Sequence, residues 1–72
     1  MKYVIEVEQE TDGRWLADLP ALPGVMAYGT TADEAIQSAK ALALRALAER
    51  FEHGEMTGPV SIRIETTVAS AG

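Results

Sequence analysis

The apolar residues of this 72-residue chain change period twice along its length. Tyr3, Ile5 and Val7 alternate with Lys2, Glu6 and Glu8, the period of a strand with one face against a core, and Val4 is the one mismatch. Asp12-Gly13 supplies a turn, and beyond it Trp15, Ala17 and Leu19 alternate with Arg14 and Asp18 in a second strand. Both apolar sets must share a face, because a one-residue slip turns one of them toward water, so opposed residue numbers sum to an even value. Val7 opposite Trp15 predicts Ile5 opposite Ala17, Tyr3 opposite Leu19 and, on the other face, a Glu8–Arg14 ion pair closing a loop over 9–13. Such an exposed pair contributes only about 0.2 to 1 kcal/mol, so the buried face and not the charge sets the register.

Residues 19–35 end one strand, make another and start a helix. In Leu22-Pro23-Gly24, Pro23 fixes its own φ and Gly24 admits positive φ, which predicts a turn. A short third strand follows over 25–28, with Val25 and Ala27 on one face and Met26 and Tyr28 on the other; the pattern leaves open which face is buried. Thr31 and Glu34 stand at capping-box spacing, the hydroxyl accepting from the backbone three residues on and the carboxylate reaching back to the cap. From Ala32 the period becomes helical. Ala35, Ile36, Ala39, Leu42, Ala43, Ala46 and Leu47 form one stripe, with Gln37, Ser38, Arg45, Glu49 and Glu52 opposite it. Gly54 after His53 reads as a left-handed C′ residue, making the helix about 22 residues and roughly 33 Å long. Its last turns must project past the strands or meet another subunit.

After a break at Gly58-Pro59, Val60, Ile62, Ile64, Thr66 and Val68 alternate with Ser61, Arg63, Glu65 and Thr67, a fourth strand. The tail over 69–72 has nothing to bury and is expected to fray. No linker or repeat divides 1–68, which reads as one domain. Placing strand four beside strand one, parallel to it, closes the chain without crossings. The result is a two-layer α+β fold, β-β-β-α-β, with a mixed sheet of order 3-2-1-4 and the helix on one face. The other face carries Val4, Glu6, Glu8, Leu16, Asp18, Arg63 and Glu65.

A chain this short buries at best roughly 60 % of its unfolded surface, which favours self-association as a supplement. The absence of cysteine excludes disulfides, thiolate metal sites and thiol nucleophiles. No apolar run reaches the roughly 20 residues needed to span a bilayer and no signal segment opens the chain, so a cytoplasmic protein is the default expectation. A net charge of −5 and a pI near 4.6 repel phosphate backbones and attract basic proteins, which disfavours direct nucleic-acid binding.

The turn Leu19-Pro20-Ala21-Leu22-Pro23-Gly24, then Ala27-Tyr28-Gly29-Thr30-Thr31 and Asp33-Glu34-Ala35, resemble the HicB family of antitoxins and their stand-alone relatives. So does the preceding strand-turn-strand with Asp12-Gly13 and Trp15; the likeness spans about residues 3–50. It implies a partial RNase H-like fold, the topology already reached from the connection rules. It also implies binding and silencing of a small basic mRNA-cleaving toxin with a double-stranded-RNA-binding-domain-like fold. The family's usual C-terminal DNA-binding segment has no counterpart in these residues, so operator binding is not carried over.

An RNase H active site would need carboxylates gathered from the first strand, the first helix and the fourth strand to hold two metal ions. Glu6, Glu34 and Glu65 are the candidates, but the capping box accounts for Glu34, and the other two occupy solvent-side positions. His53 lacks a catalytic partner and suits the negative end of the helix dipole. Asp12 lacks the repeated oxygen ligands of a calcium loop, and Gly24 and Gly29, separated by a strand, form no phosphate cradle. Trp15 and Tyr28 could stack on bases, yet the acidic charge favours packing roles. The sequence therefore predicts no catalytic, metal or cofactor residue. Leu44 and Phe51, adjoining Leu47, widen the apolar stripe beyond what one sheet face covers and predict a partner or oligomer interface, with Glu49 and Glu52 as its charged residues. The expected function is a HicB-like interaction module that neutralises a small basic toxin and self-associates as a dimer or higher oligomer. The alternative is a stand-alone homo-oligomeric domain, with a small ligand between subunits as one role for it.

Overall fold

The computed structural model describes residues 1–68; the tail over 69–72, expected to fray, lies outside the described residues. The elements run β1 (Lys2–Gln9), β2 (Trp15–Asp18), β3 (Met26–Gly29), α1 (Ala32–Glu52) and β4 (Arg63–Val68). They form one four-stranded sheet of order β3-β2-β1-β4, in which β1 and β4 are parallel and the other pairs antiparallel. The α+β architecture and the strand order are those the apolar pattern predicts.

The β1–β2 register differs by two residues from the expected one. Val7 stands opposite Ala17, Glu8 opposite Leu16 and Gln9 opposite Trp15. The cause is a tighter loop. The Glu10 N–H donates to the Arg14 carbonyl at 2.7 Å and the Gly13 N–H to the Glu10 carbonyl at 3.0 Å, while Gly13 takes φ +94°. This is a three-residue hairpin whose left-handed glycine sets the pairing. The parity of the register holds, so Ile5, Val7 and Ala17 still share the buried face. The Glu8–Arg14 ion pair does not form. Arg14 turns instead to Asp12, donating from its backbone N–H to Oδ1 at 3.0 Å and from Nε to Oδ2 at 2.8 Å.

Two consecutive turns join β2 to β3. The Leu22 N–H donates to the Leu19 carbonyl and the Val25 N–H to the Leu22 carbonyl, and Leu19 and Val25 close the pair at 3.0 Å. Pro23 and Gly24, at φ +85°, occupy the middle of the second turn, the geometry of a type II turn. Leu19, Leu22 and Val25 are thereby all turned inward and buried. At the start of α1, Thr31 Oγ1 accepts from the Glu34 N–H at 3.1 Å. The returning half of the capping box is displaced by one residue: the Glu34 carboxylate accepts from the Thr30 hydroxyl at 3.0 Å and from the Thr30 N–H at 3.4 Å. The helix ends as expected. Gly54 takes φ +74°, its N–H donates to the Phe51 carbonyl, and the Glu55 N–H reaches the Arg50 carbonyl at 2.9 Å, a Schellman motif.

Ala35, Ala39, Ala43 and Leu47 line the buried stripe of α1. The alanines let the helix approach the sheet closely, above Ile5 and Val7 of β1, Ala17 of β2, and Leu19, Leu22 and Val25 of the turns. The helix lies over β3, β2 and β1, leaving β4 outside its cover. Beyond Leu47 no helical residue is fully buried, and the described residues extend 42 Å along their longest axis against 16 Å across.

Candidate interaction surface

Among the described residues no polar or charged side chain is buried, so any polar chemistry belongs to the surface. Glu6, Glu34 and Glu65 are not brought together. Glu34 is engaged by Thr30 at the start of α1, and Glu65 is held by Lys2 at 3.5 Å and Arg63 at 3.4 Å. No group of three His, Cys, Asp or Glu side chains among the described residues is arranged to hold a metal ion. His53 is the C-cap residue, its N–H donating to the Glu49 carbonyl at 3.0 Å. Asp12 is a turn residue whose carboxyl is held below the usual carboxylate range, first by the Arg14 N–H and then by the Arg14 side chain. Trp15 is half-buried against the core, whereas Tyr28, whose strand partner is Leu16, lies on the opposite face; the two rings cannot share one stacking platform.

The interface expected on α1 divides into separate pieces. Leu47 is a core residue, 2 % exposed, and is unavailable to a partner. Leu44 is 56 % exposed, and Phe51, two turns on, is half-buried on the same flank. Glu49 falls on the other flank, where it lines a shallow hollow of about 280 Å³ with Leu22, Pro23, Ala46, Arg50 and Glu55. Glu52 is exposed near the helix end.

A more continuous surface lies on the sheet face opposite α1, assembled by the register. Tyr28 stands beside Leu16 and Leu16 beside Glu8; Met26 stands beside Asp18 and Asp18 beside Glu6. Met26 and Tyr28 are 50 % and 46 % exposed, and Leu16 is half-buried between strands. Glu6, Glu8, Leu16 and Asp18 rim a depression of about 120 Å³ floored by Val7. The Arg14 guanidinium stacks over the Tyr28 ring at 4.4 Å from its centroid, closing one end of the apolar strip. At the other side Lys2 and Arg63 are taken up by Glu65. Among the described residues no cation lies within ion-pair distance of Glu6, Glu8 or Asp18. Opposed like charges at Glu6 and Asp18 cost stability in a strand pair, so this arrangement leaves an acidic potential unneutralised beside an apolar strip.

The sequence places Glu6, Glu8, Leu16 and Asp18 on this face by alternation alone. Met26 and Tyr28 complete it only through the β2–β3 register, which the paired turns fix and which period-two reading of a four-residue strand cannot supply. Comparison of the chain with family models, with curated proteins and with solved structures returned no significant match.

Proposed function

We propose that this protein is a HicB-like interaction module that binds and neutralises a small basic protein by surface complementarity, without chemistry of its own. The observation that carries the reading is the face where unpaired Glu6, Glu8 and Asp18 adjoin Leu16, Tyr28 and Met26. An apolar strip supplies burial, and the carboxylates steer a cationic partner and fix its orientation. The residues quoted above for the HicB resemblance support the same reading and give the partner its class, a small basic mRNA-cleaving toxin.

The test is co-expression with a short basic protein encoded in an adjacent reading frame. Growth should be rescued and a stable complex should run as one species on sizing. Glu8→Lys and Asp18→Lys together should abolish rescue while the circular dichroism spectrum stays that of the wild type. Association should slow several-fold between low and physiological salt, with dissociation nearly constant. If no such frame exists, or a folded protein forms no complex, the antitoxin role fails and a stand-alone oligomeric domain takes its place.

A further inference from the structure

The sheet has two edges of unequal character. β3 is four residues long and follows directly on the Pro23-Gly24 turn, whereas β4 is six residues long and continues a ladder that begins earlier. That ladder is visible in the bond from the Met1 ammonium to the Ser61 carbonyl and from the Arg63 N–H to the Met1 carbonyl at 2.8 Å. Arg63, Glu65 and Thr67 therefore direct their backbone groups at β1, and strand alternation turns those of Ile62, Ile64, Thr66 and Val68 toward the free edge. The side chains of these four residues project on the α1 side beyond the main cover of the helix, and only Ile64 leans against the core. Ile62 and Val68 are accordingly 38 % and 57 % exposed, and Val60, just before the ladder, is 41 % exposed. A long edge with an apolar row and unpaired backbone groups is a template for another strand.

We infer that the occupant of this edge is a second copy of the chain, with β4 pairing antiparallel to β4 about a two-fold axis through Ile64. The charges select the register. Only even-numbered residues present their backbone groups outward, so the pairing must oppose even with even. Centring on Arg63 would set Arg63 against itself, and centring on Glu65 would set Glu65 against itself, both destabilising. Centring on Ile64 sets Arg63 against Glu65 of the other copy twice, Val60 against Val68, and Ile62 against Thr66. The contact is isologous and closes, whereas pairing β3 of one copy on β4 of the next would run on as a filament. The sheet becomes eight-stranded, with the two apolar rows side by side on its helix-bearing face, flanked by the two copies of α1. This dimer uses an edge, not the acidic face, and stands whether or not a basic partner exists.

Sedimentation or light scattering should give twice the chain mass at high micromolar concentration. Arg63→Glu and Glu65→Arg should each weaken the dimer by roughly tenfold, since each turns two opposite-charge pairs into like-charge pairs. The double exchange should restore it. Because the chain has no cysteine, Ile64→Cys should also trap a covalent dimer on mild oxidation, the opposed Cα atoms of such a pair lying about 5.5 Å apart. Thr66→Cys, opposed to Ile62, should not. A wild-type monomer, a double exchange that stays as weak as the single ones, or Thr66→Cys crosslinking as readily as Ile64→Cys overturns the proposal. Should Ile64→Cys fail to fold, the exchanges at the exposed Arg63 and Glu65 side chains decide alone.

Discussion

Gly29 ends β3 without a left-handed backbone, so its role is space and not φ. A Cβ added there would sit 2.6 Å from the Ala35 nitrogen, 3.0 Å from Glu34 Cβ and 3.1 Å from Ala35 Cα. Two of these neighbours are backbone atoms, which cannot rotate away, so Gly29→Ala must push the first turn of α1 off the sheet. That turn holds the helix start through the bonds from the Glu34 and Ala35 N–H groups to Thr31, each 3.1 Å. Overpacking of this kind costs about 1–3 kcal/mol. The reduced freedom of alanine in the unfolded chain returns about 0.4–1 kcal/mol, and the central values leave a net loss of about 1 kcal/mol. For a domain of this size that lowers Tm by roughly 4–8 °C. Thermal melting followed by circular dichroism at one fixed protein concentration measures the loss, and amide exchange at Ala35 locates it. Gly58→Ala provides the contrast, since Gly58 takes φ +78° with nothing near the added methyl. It should lose stability through backbone strain while exchange at Ala35 stays slow. A Gly29→Ala protein as stable as wild type, or one destabilised without faster exchange at Ala35, would refute the steric argument.

Two further outcomes follow from particular contacts. Leu47→Ala should cost about 2–5 kcal/mol in urea unfolding, whereas Leu44→Ser, at an exposed position one turn away, should stay within about 0.5 kcal/mol at concentrations where the chain is monomeric. The Asp12 carboxyl is held low by Arg14, so its contribution is present above the unfolded pKa and is lost as pH falls through the lower folded one. An NMR titration should therefore place its midpoint below that of an unfolded peptide. Arg14→Ala should raise it only part of the way, because the bond from the backbone N–H of residue 14 remains.

Most of the fold was legible because each apolar set carries one dominant period. The alternation of Ile5 with Val7 and of Ala17 with Leu19, and the four-residue spacing of Ala35, Ala39, Ala43 and Leu47, are forced by burial on one face. Turn chemistry at Pro23-Gly24 and at His53-Gly54 was equally plain, since few residues tolerate those backbones. Register was less legible. Parity follows from burial, but the choice between sums that differ by two depends on whether Gly13 closes a three-residue or a five-residue loop, and Asp-Gly suits both. The candidate surface was half legible. Its carboxylates and Leu16 follow from alternation, while Met26 and Tyr28 depended on a strand too short to declare its buried face. Leu47 sits at the border of stripe and flank, and packing resolves it into the core.

The buried core, from Ile5 to Leu47, draws no fully buried residue from the described residues after α1; Met56 and Ile64 only lean against it. The unit β1-β2-β3-α1 thus holds its own hydrophobic centre and rests on near-neighbour contacts. β4 is tied on by a ladder whose partners stand 61 residues apart in sequence, as Lys2 and Arg63 do. Closing so long a loop costs entropy before it is rewarded, which places the pairing of β4 late in folding. The long-range step of folding thus closes at the same edge where a second copy would pair. Assembly would then convert the edge strand paired over the longest sequence separation into the middle of a continuous sheet, coupling the persistence of β4 to protein concentration.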